Sequence, residues 1–391
     1  MIAESLKKLQ TYIEQQGYKG YDPYDGLTSP LFRFPVFKTN KYLRLYSQQI
    51  VKRFPVNVRP VLLIPKGYNP VTLGLCIQGY SNLLQSSHPE SAEGSSFKIH
   101  HSELKTKIEF LIDELVKFQS KGYSGVCWGY DFDWQSGSVA IPAFGPTVVA
   151  TGIITNALFE YYKLSNNARA ENLVLSSAEF VLNDLNRTNH GEDFCFSYSP
   201  FDNESVYNAN MKAVRLLSQA YSLSNNPELL SAAKRALNFV LKSQNEDGSW
   251  FYSNRISDRR IDNYHTGYVL DCIKEYIVLS GDSEPGDQLK KGYGFYIKNF
   301  ITPEGIPKFY NNNPYPVDST SAAQSIITLC NFADTGIAFK VAEYMIENMQ
   351  SENGYFYFRK YKHYTNKTSF MRWSNAWMFM ALSSLIKNPD K

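Results

Sequence analysis

Four segments place polar and aromatic residues at the start of a predicted helix, at matching positions of a repeated pattern. They are Tyr207-Asn208-Ala209-Asn210, Asn263-Tyr264-His265, Asp318-Ser319-Thr320 and Arg372-Trp373-Ser374-Asn375. Asn, Asp and Ser also cap helices, because their side chains accept hydrogen bonds from free backbone N–H groups. Capping does not account for the histidine, the arginine or the aromatic rings. Those residues are therefore the stronger candidates for chemistry.

Proton transfer beside a stabilised negative charge is the chemistry that these residue types support. Removing the proton next to a sugar carboxylate needs amide or cationic groups at the carboxylate and a base near the carbon. We predict His265, Tyr264 and Tyr207 as catalytic residues for such a step. A glycoside hydrolase needs two carboxylates that flank the bond. Asp318 is the predicted catalytic carboxylate for that case. Its partner would be Asp262, Asp22 or Asp25, and no spacing singles out one of these pairs.

The predicted substrate-binding residues are amides, carboxylates, an arginine and aromatic rings that suit a hydroxyl-rich or anionic ligand. They are Asn208, Asn210, Asn263, Arg372, Trp373, Trp377, Asp22, Tyr24, Asp25, Trp128 and Trp134. Helix N-termini carry partial positive charge, and an arginine can hold a carboxylate through two hydrogen bonds. The flat faces of Trp and Tyr can stack on sugar rings. The alternative for Asp22 and Asp25 is a structural turn, since Asp-Pro and Asp-Gly are turn formers.

A helical repeat must position these residues. A glycine followed by an aromatic cluster occurs at Gly125, Gly191, Gly248, Gly305 and Gly354. This period of roughly 50–65 residues suits one helical hairpin and a long loop. Amphipathic helices alternate with helices that are apolar nearly all round, which indicates an outer and an inner layer. The sequence therefore predicts an all-α fold, an α/α toroid (barrel) of six or seven helical hairpins.

The predicted helices fall into two series. The outer series is 104–120, 169–186, 228–243, 287–299 and 336–349. The inner series is 147–164, 208–223, 265–280, 319–332 and 373–385. A sixth hairpin is predicted to join 41–54 to 71–85, with an extra amphipathic helix at 2–16. The whole chain, 1–391, is predicted as one domain, with 1–39 as an N-terminal extension or partial hairpin and 86–102 as a flexible loop.

Charge and composition argue against several classes of partner. The net charge is +3, and no run of Lys or Arg indicates nucleic acid or an anionic membrane. No apolar stretch is long enough to span a membrane, and the amino terminus lacks a signal-peptide core. The five cysteines are scattered, which is typical of reduced thiols in a cytoplasmic protein. We predict a cytoplasmic protein without membrane insertion, cofactor or bound metal.

The spacing of Gln244, Gly248 and Trp250 resembles the repeat signature of terpenoid cyclase and protein prenyltransferase toroids, where Gln and Trp tie neighbouring hairpins together. This resemblance implies a fold, not a reaction. The segment 262–270 also resembles the part of prenyltransferase β subunits in which a histidine binds zinc, with an Asp-x-Cys matched by Asp193 and Cys195. The repeat register argues against zinc, because His265 opens an inner helix whereas Cys195 lies in a glycine/aromatic loop.

The aromatic loops resemble those of α/α toroids that act on carbohydrates: uronate lyases, glucuronyl epimerases, unsaturated-uronyl hydrolases and many glycosidases. The segment 22–27 is similar to toroid proteins encoded among capsule and surface-polysaccharide genes. These resemblances imply a carbohydrate-active enzyme acting on an acidic sugar or a surface-polysaccharide intermediate, as a lyase, an epimerase or a glycoside hydrolase. The alternatives are an isoprenoid-handling enzyme of the prenyltransferase or terpenoid cyclase type and a non-catalytic glycan-binding toroid.

Overall fold

The computed structural model describes residues 1–86 and 101–387, and fourteen α-helices lie within these ranges. The helices are α1 (Ile2–Gln15), α2 (Pro35–Thr39), α3 (Lys41–Arg53), α4 (Pro70–Ser86), α5 (His101–Lys117), α6 (Val148–Ser165), α7 (Ala168–Asp184), α8 (Tyr207–Ser224), α9 (Pro227–Leu241), α10 (Asn263–Ser280), α11 (Gly286–Phe300), α12 (Ser319–Asn331), α13 (Thr335–Met349) and α14 (Trp377–Lys387). A turn of π-helix, Met371–Ala376, leads into α14. Most of the predicted 86–102 loop lies outside the described residues.

Six helices form a closed inner ring in the order α4, α6, α8, α10, α12 and α14, and α14 packs against α4 to close it. The outer layer of the described chain consists of α1, α5, α7, α9, α11 and α13. Burial separates the layers: α4 buries 15 of its 17 residues, whereas α9 buries 7 of 15 along one stripe. An amphipathic helix needs an apolar partner on one face only, so it takes the outer position. The fold is an α/α toroid of six hairpins.

The outer helix that packs on α4 is α5, and the predicted pairing of 41–54 with 71–85 is wrong. Helix α1 packs on α13 and α14, while α3 packs on a 3₁₀ turn at Asp25–Thr28 and on a short strand. The buried residues of α3 are Gln48 and Val51, so its apolar stripe does not face the core. Helical periodicity shows that such a stripe exists, but it does not show what the stripe contacts.

Glutamines in the repeat loops hold neighbouring hairpins together. Gln244 Nε2 donates to the backbone oxygen of Gln288 at 2.9 Å, which joins the loop after α9 to α11. In the same way, Gln350 Nε2 donates to Ser5 O at 3.1 Å and links the last hairpin to the first. Gly248 has φ +94°, and a Cβ there would lie 2.5 Å from a backbone oxygen of α11. A glycine is required for this approach.

The loops between the helices contain short antiparallel strands. They are β1 (Trp134–Gln135), β2 (Ala140–Ile141), β3 (Arg187–His190), β4 (Asp193–Phe196), β5 (Val317–Asp318), β6 (Tyr357–Lys360) and β7 (Thr365–Ser369). Strands β1 and β2 pair, β3 and β4 pair, and β5, β6 and β7 form a three-stranded sheet in that order. None of the helices described has the length and apolarity needed to cross a bilayer.

Candidate active site

A cavity of about 150 Å³ lies where α6, α8, α10, α12 and the π-helix begin. Ten aromatic side chains line it: Tyr24, Tyr130, Phe132, Trp134, Tyr198, Tyr252, Tyr264, Tyr268, Trp373 and Trp377. Five polar side chains also reach its wall: Asn208, Arg260, His265, Thr320 and Arg372. No carboxylate of the described residues is among the lining groups. The wall is therefore aromatic with a few cationic and amide groups.

A carboxylate holds the one histidine of this wall. Asp262 is the N-cap of α10, and its Oδ1 accepts the backbone N–H of His265 at 3.1 Å. The other carboxylate oxygen, Oδ2, lies 2.8 Å from His265 Nδ1. With Nδ1–H donating to that carboxylate, Nε2 of the neutral ring is the proton acceptor. The pair can therefore act as a general base with a fixed tautomer.

Burial and charge set the protonation states of this pair. Burial lowers the pKa of His265 below its usual value, Asp262 offsets part of that effect, and the nearby charge of Arg260 lowers the pKa again. Burial acts in the opposite sense on Asp262, but the charge of His265 and its hydrogen bond bring the pKa of that carboxyl below its usual value. At neutral pH the ring is uncharged and the carboxylate is ionised, which is the state that a base needs.

Aromatic rings enclose the histidine. The ring centroids of Tyr264 and Tyr252 lie 3.9 and 4.7 Å from that of His265. Arg260 also packs on Tyr252, with its guanidinium carbon 3.6 Å from the ring centroid. Asn208 lines a small recess together with His265, Tyr252 and Arg260. Its buried Oδ1 has no hydrogen-bond partner among the described residues. That oxygen is a ready acceptor for a hydroxyl group of a ligand.

Tyr24 also lies on the cavity wall and has a cationic partner. Lys52 Nζ, from α3, donates to the Tyr24 phenol oxygen at 2.5 Å. Burial alone would raise the pKa of this phenol, but the charge and hydrogen bond of Lys52 outweigh it and bring the pKa below its usual value. The edge of the Tyr24 ring packs on Trp373, with the centroids 5.7 Å apart. Tyr24 is therefore a second candidate for proton transfer, although the sequence indicated only a binding role.

Arg372 reaches the cavity, but a buried carboxylate already holds it. Its Nε and Nη2 donate to the two oxygens of Asp22 at 2.6 and 2.8 Å. Asp25 pairs with Arg59 Nε at 2.7 Å, and burial raises the pKa of Asp25 to about 7. Both aspartates line a separate recess behind Arg372 with Asp131, whose pKa burial also raises to about 7. The structure thus places Asp22 and Asp25 outside the cavity wall.

Asp318 lies behind the wall and positions Trp373. It is fully buried, caps α12 through the Ser321 backbone N–H, and pairs with Arg359 Nε at 2.5 Å. Trp373 Nε1 donates to the same carboxylate at 3.2 Å. A carboxylate with these three partners and no place on the cavity wall does not fit the predicted catalytic role. Its observed part is to orient an aromatic ring that does face the cavity.

Tyr207 and Trp128 lie away from the cavity. The Tyr207 ring packs against Phe239 of the outer helix α9, with the centroids 5.9 Å apart. Trp128 is fully buried, and its Nε1 donates to the backbone oxygen of Leu115 at 2.8 Å. The catalytic role predicted for Tyr207 and the binding role predicted for Trp128 are therefore not carried into our proposal.

Two asparagines at helix starts are occupied by bonds within the fold. Asn210 Oδ1 accepts the backbone N–H of Phe196, and its Nδ2 donates to the backbone oxygen of Ala236. Asn263 Nδ2 donates to Ser325 Oγ, and its Oδ1 accepts from Tyr296. Both asparagines fasten loops and outer helices to the inner ring. Binding roles for them were predicted because helix starts were aligned without regard to which face of the helix each residue occupies.

Four tyrosines of the wall were missed: Tyr268, on α10, and three loop tyrosines for which the repeat contains a signal. Tyr130, Tyr198 and Tyr252 each follow by two residues the aromatic residue that anchors their loop, which is Trp250 for the last of them. The Trp250 Nε1 donates to Val240 O, inside the core. Tyr252, two residues later, lines the cavity instead. Aligning the glycine/aromatic loops with one another places these three tyrosines at the same repeat position, whereas aligning the helix starts leaves them out.

The groups suggested by the zinc resemblance are not assembled. Asp193 pairs with Lys242 Nζ at 2.5 Å, and Cys195 Sγ lies 3.4 Å from the backbone oxygen of Phe196. His265 uses Nδ1 for Asp262. Among residues 1–86 and 101–387, no group of three or more His, Cys, Asp or Glu side chains is arranged to hold a metal ion.

Comparison with known proteins shows similarity of structure only. No family model and no curated protein matches the sequence. A cellobiose 2-epimerase from Bacillus thermoamylovorans superposes with a TM-score of 0.60 and 11% identity, over 81% of this chain and 87% of that one. A sugar epimerase from a ruminal bacterium gives 0.63 and 13%, over 84% and 91%. A glycoside hydrolase family 76 mannosidase from Bacteroides thetaiotaomicron gives 0.63 and 10%, over 99% and 98%.

The chain shares the toroid fold with these proteins. At such low identity the likeness fixes the architecture and not the reaction. The chemistry has to be argued from the cavity itself.

Proposed function

We propose that the protein is a carbohydrate-active enzyme that removes a proton from a sugar carbon beside a carbonyl or carboxylate group, as epimerases and lyases do. The observation that carries the proposal is the Asp262–His265 pair, which presents an unprotonated ring nitrogen at an aromatic cavity. Two of the similar structures are named as sugar epimerases. Their names agree with the class of reaction that the cavity supports.

The cavity wall supports proton abstraction better than glycoside hydrolysis. A glycosidase uses two carboxylates that flank the bond, and no described carboxylate lines the cavity. His265 supplies the base, and Tyr24 with its Lys52 partner is placed to hold or return a proton. Aromatic rings supply stacking faces for a sugar, and Asn208 supplies an acceptor for a hydroxyl group.

An acidic saccharide is the substrate class that we propose. Arg260 and Arg372 both reach the cavity wall, Arg260 paired with Asp258 and Asp262 and Arg372 with Asp22. A guanidinium has five N–H donors, so the donors left over by these pairs are the ones that would meet a carboxylate on the substrate. Such groups stabilise the negative charge that develops when the α-proton leaves. An intermediate of surface-polysaccharide synthesis in the cytoplasm would supply such a sugar.

The aromatic wall also favours one alternative. Ten aromatic side chains around about 150 Å³ would suit an isoprenoid chain, with the arginines near a diphosphate. This is the function expected of a prenyltransferase or terpenoid cyclase toroid. A glycan-binding toroid without catalysis would use the same stacking faces and would need no base.

Proton exchange in D2O tests the proposal. The protein is incubated with uronate-containing oligosaccharides and with neutral disaccharides, and NMR follows deuterium at the sugar carbons. We expect deuterium to enter an acidic sugar beside its carboxylate or carbonyl, and His265→Asn to abolish the exchange. The control His363→Asn changes an exposed histidine and should exchange normally. Release of reducing sugar without deuterium, binding without exchange, or binding of a prenyl diphosphate alone would each contradict the proposal.

A further inference from the structure

Exposed hydrophobic side chains are concentrated in one short part of the chain. Nineteen large hydrophobic residues are exposed among the described residues, and ten of them lie between Leu31 and Leu63. These ten are Leu31, Phe34, Val36, Tyr42, Tyr46, Ile50, Phe54, Val56, Val61 and Leu63. We call residues 31–63 the platform. A concentration of this kind marks an interaction surface rather than ordinary surface composition.

The platform helix α3 turns its apolar side outward. Tyr42, Tyr46 and Ile50 follow one another at intervals of four residues, so they share one face of the helix. They are 58%, 62% and 62% exposed. The inward face carries Gln48, whose side chain bonds the backbone of Gln135 in β1. The apolar face is therefore not needed to hold α3 on the protein, and it is left for a partner.

The charged residues within the segment that carries the platform have a single sign. From Gly26 to Pro89 the sequence contains eight Lys and Arg residues and no Asp or Glu. Arg44, Arg59 and Lys52 are engaged on the inward side. The exposed cations of the platform include Lys38, Lys41 and Arg53. The sequence shows no basic run because these Lys and Arg residues are spread out. The segment is basic because it contains no Asp or Glu to balance them.

The platform adjoins the candidate active site. Lys52 Nζ lies 4.0 Å from the ring centroid of Tyr24 and 5.7 Å from that of Trp373, which both line the cavity. Arg44 pairs with Asp133, next to the lining residue Trp134. A partner seated on the outer face of α3 would therefore lie one helix away from the cavity.

We propose that the outer face of the platform docks on an anionic lipid bilayer, as a peripheral contact without a spanning helix. Tyr, Phe and Ile side chains partition into the interface between headgroups and acyl chains, and the basic side chains are attracted to anionic headgroups. A second copy of the chain fits less well, because a two-fold interface would bring two basic faces together. The docking is independent of the reaction proposed for the cavity.

Vesicle co-sedimentation tests the docking. The probes are vesicles of equal parts phosphatidylglycerol and phosphatidylcholine, compared with vesicles of phosphatidylcholine alone. We expect binding to the anionic vesicles that weakens with added salt. The triple variant Tyr42→Ser/Tyr46→Ser/Ile50→Ser should bind at least tenfold more weakly. The triple variant Lys38→Gln/Lys41→Gln/Arg53→Gln should lose about a hundredfold, at about fivefold for each charge.

Matched controls change exposed residues elsewhere. Ile256→Ser/Val278→Ser removes side chains that are 81% and 70% exposed, and Lys290→Gln removes an exposed cation. These variants should bind the vesicles like the unchanged protein. All changed side chains are exposed, so the melting temperatures should stay within a few degrees. The proposal fails if anionic vesicles are not bound, if the platform variants bind as well as the controls, or if the platform variants only abolish a concentration-dependent dimer.

Discussion

Asp262 holds His265 by two contacts: its Oδ2 lies 2.8 Å from the ring Nδ1, and its Oδ1 accepts the backbone N–H of the same histidine. One carboxylate thus begins helix α10 and fixes the direction of a ring that faces the cavity. A change at Asp262 would therefore affect both the start of the helix and the orientation of the candidate base. Asp262 is 2% exposed, so solvent does not compete for either contact.

We predict that Asp262→Asn lowers kcat by about two to four orders of magnitude and leaves the fold intact. Asparagine is as good an N-cap as aspartate, so helix α10 should keep its start. The amide can present an N–H to Nδ1, which would favour the tautomer with the proton on Nε2 and remove the base. Kinetics and a melting curve on the same sample measure both effects. An unchanged rate would show that His265 acts without its carboxylate partner or does not act at all.

In a plot of kcat/KM against pH, the fall on the acid side should have its midpoint below the usual histidine pKa of about 6.5. Burial is the main cause, since it disfavours the imidazolium, and Asp262 offsets burial only in part. The rate should therefore fall only when the pH drops beneath that value. In Asp262→Glu, which keeps the negative charge, the midpoint should stay in the same region. A midpoint at or above the usual value would indicate that another group is the base.

Much of the fold was visible in the sequence because each layer has its own pattern. The predicted inner helix 265–280 corresponds to α10 (Asn263–Ser280), and the predicted outer helix 228–243 to α9 (Pro227–Leu241). The predicted pairing of 41–54 with 71–85 was wrong because α3 has the periodicity of a core helix but turns its apolar face away from the core. Local patterns do not report which neighbour covers an apolar stripe.

The candidate site was predicted less well than the fold. The alignment of helix starts brought His265, Asn208 and Trp373 to one cavity, since a ring turns equal repeat positions into neighbours. It did not separate them from Asn210, two residues after Asn208 and on another side of the helix. The pairing of Asp22 with Arg372 joins residues 350 positions apart. No spacing in the sequence indicates such a pair.

Gln350 joins the loop after α13 to α1, and we predict that this link stabilises the fold. Gln350 exchanges two hydrogen bonds with Ser5, so Gln350→Ala should cost about 1–3 kcal/mol of unfolding free energy. It should also speed amide hydrogen exchange in α1, which the bonds fasten to the last hairpin. Gln244→Ala is the matched control, because it removes the equivalent bond between α9 and α11 without touching α1. Equal exchange of α1 in both variants would show that α1 is held by packing alone.

The last prediction concerns Lys212, a buried lysine deeper in the ring, whose Nζ lies 3.7 Å from the Tyr268 ring centroid. Burial, with a smaller contribution from the charge of Arg215, lowers the pKa of Lys212 to about 7. The unfolded chain binds this proton up to about pH 10.5, so the unfolded state holds more protons between pH 7 and 10.5. The contribution of Lys212 to stability therefore rises with pH in that window.

Lys212→Met should remove this dependence, because methionine fills a similar volume without a charge. We expect the variant to be more stable than the unchanged protein by about 3–4 kcal/mol at pH 7, with the difference shrinking toward pH 10. Urea unfolding at several pH values measures the difference, in which the titration of other groups cancels. Lys290→Met, at an exposed position, should shift stability little at any pH. A Lys212→Met variant that is less stable at pH 7 would show that the ring contact and the nearby Asp271 outweigh the cost of burying the ammonium group.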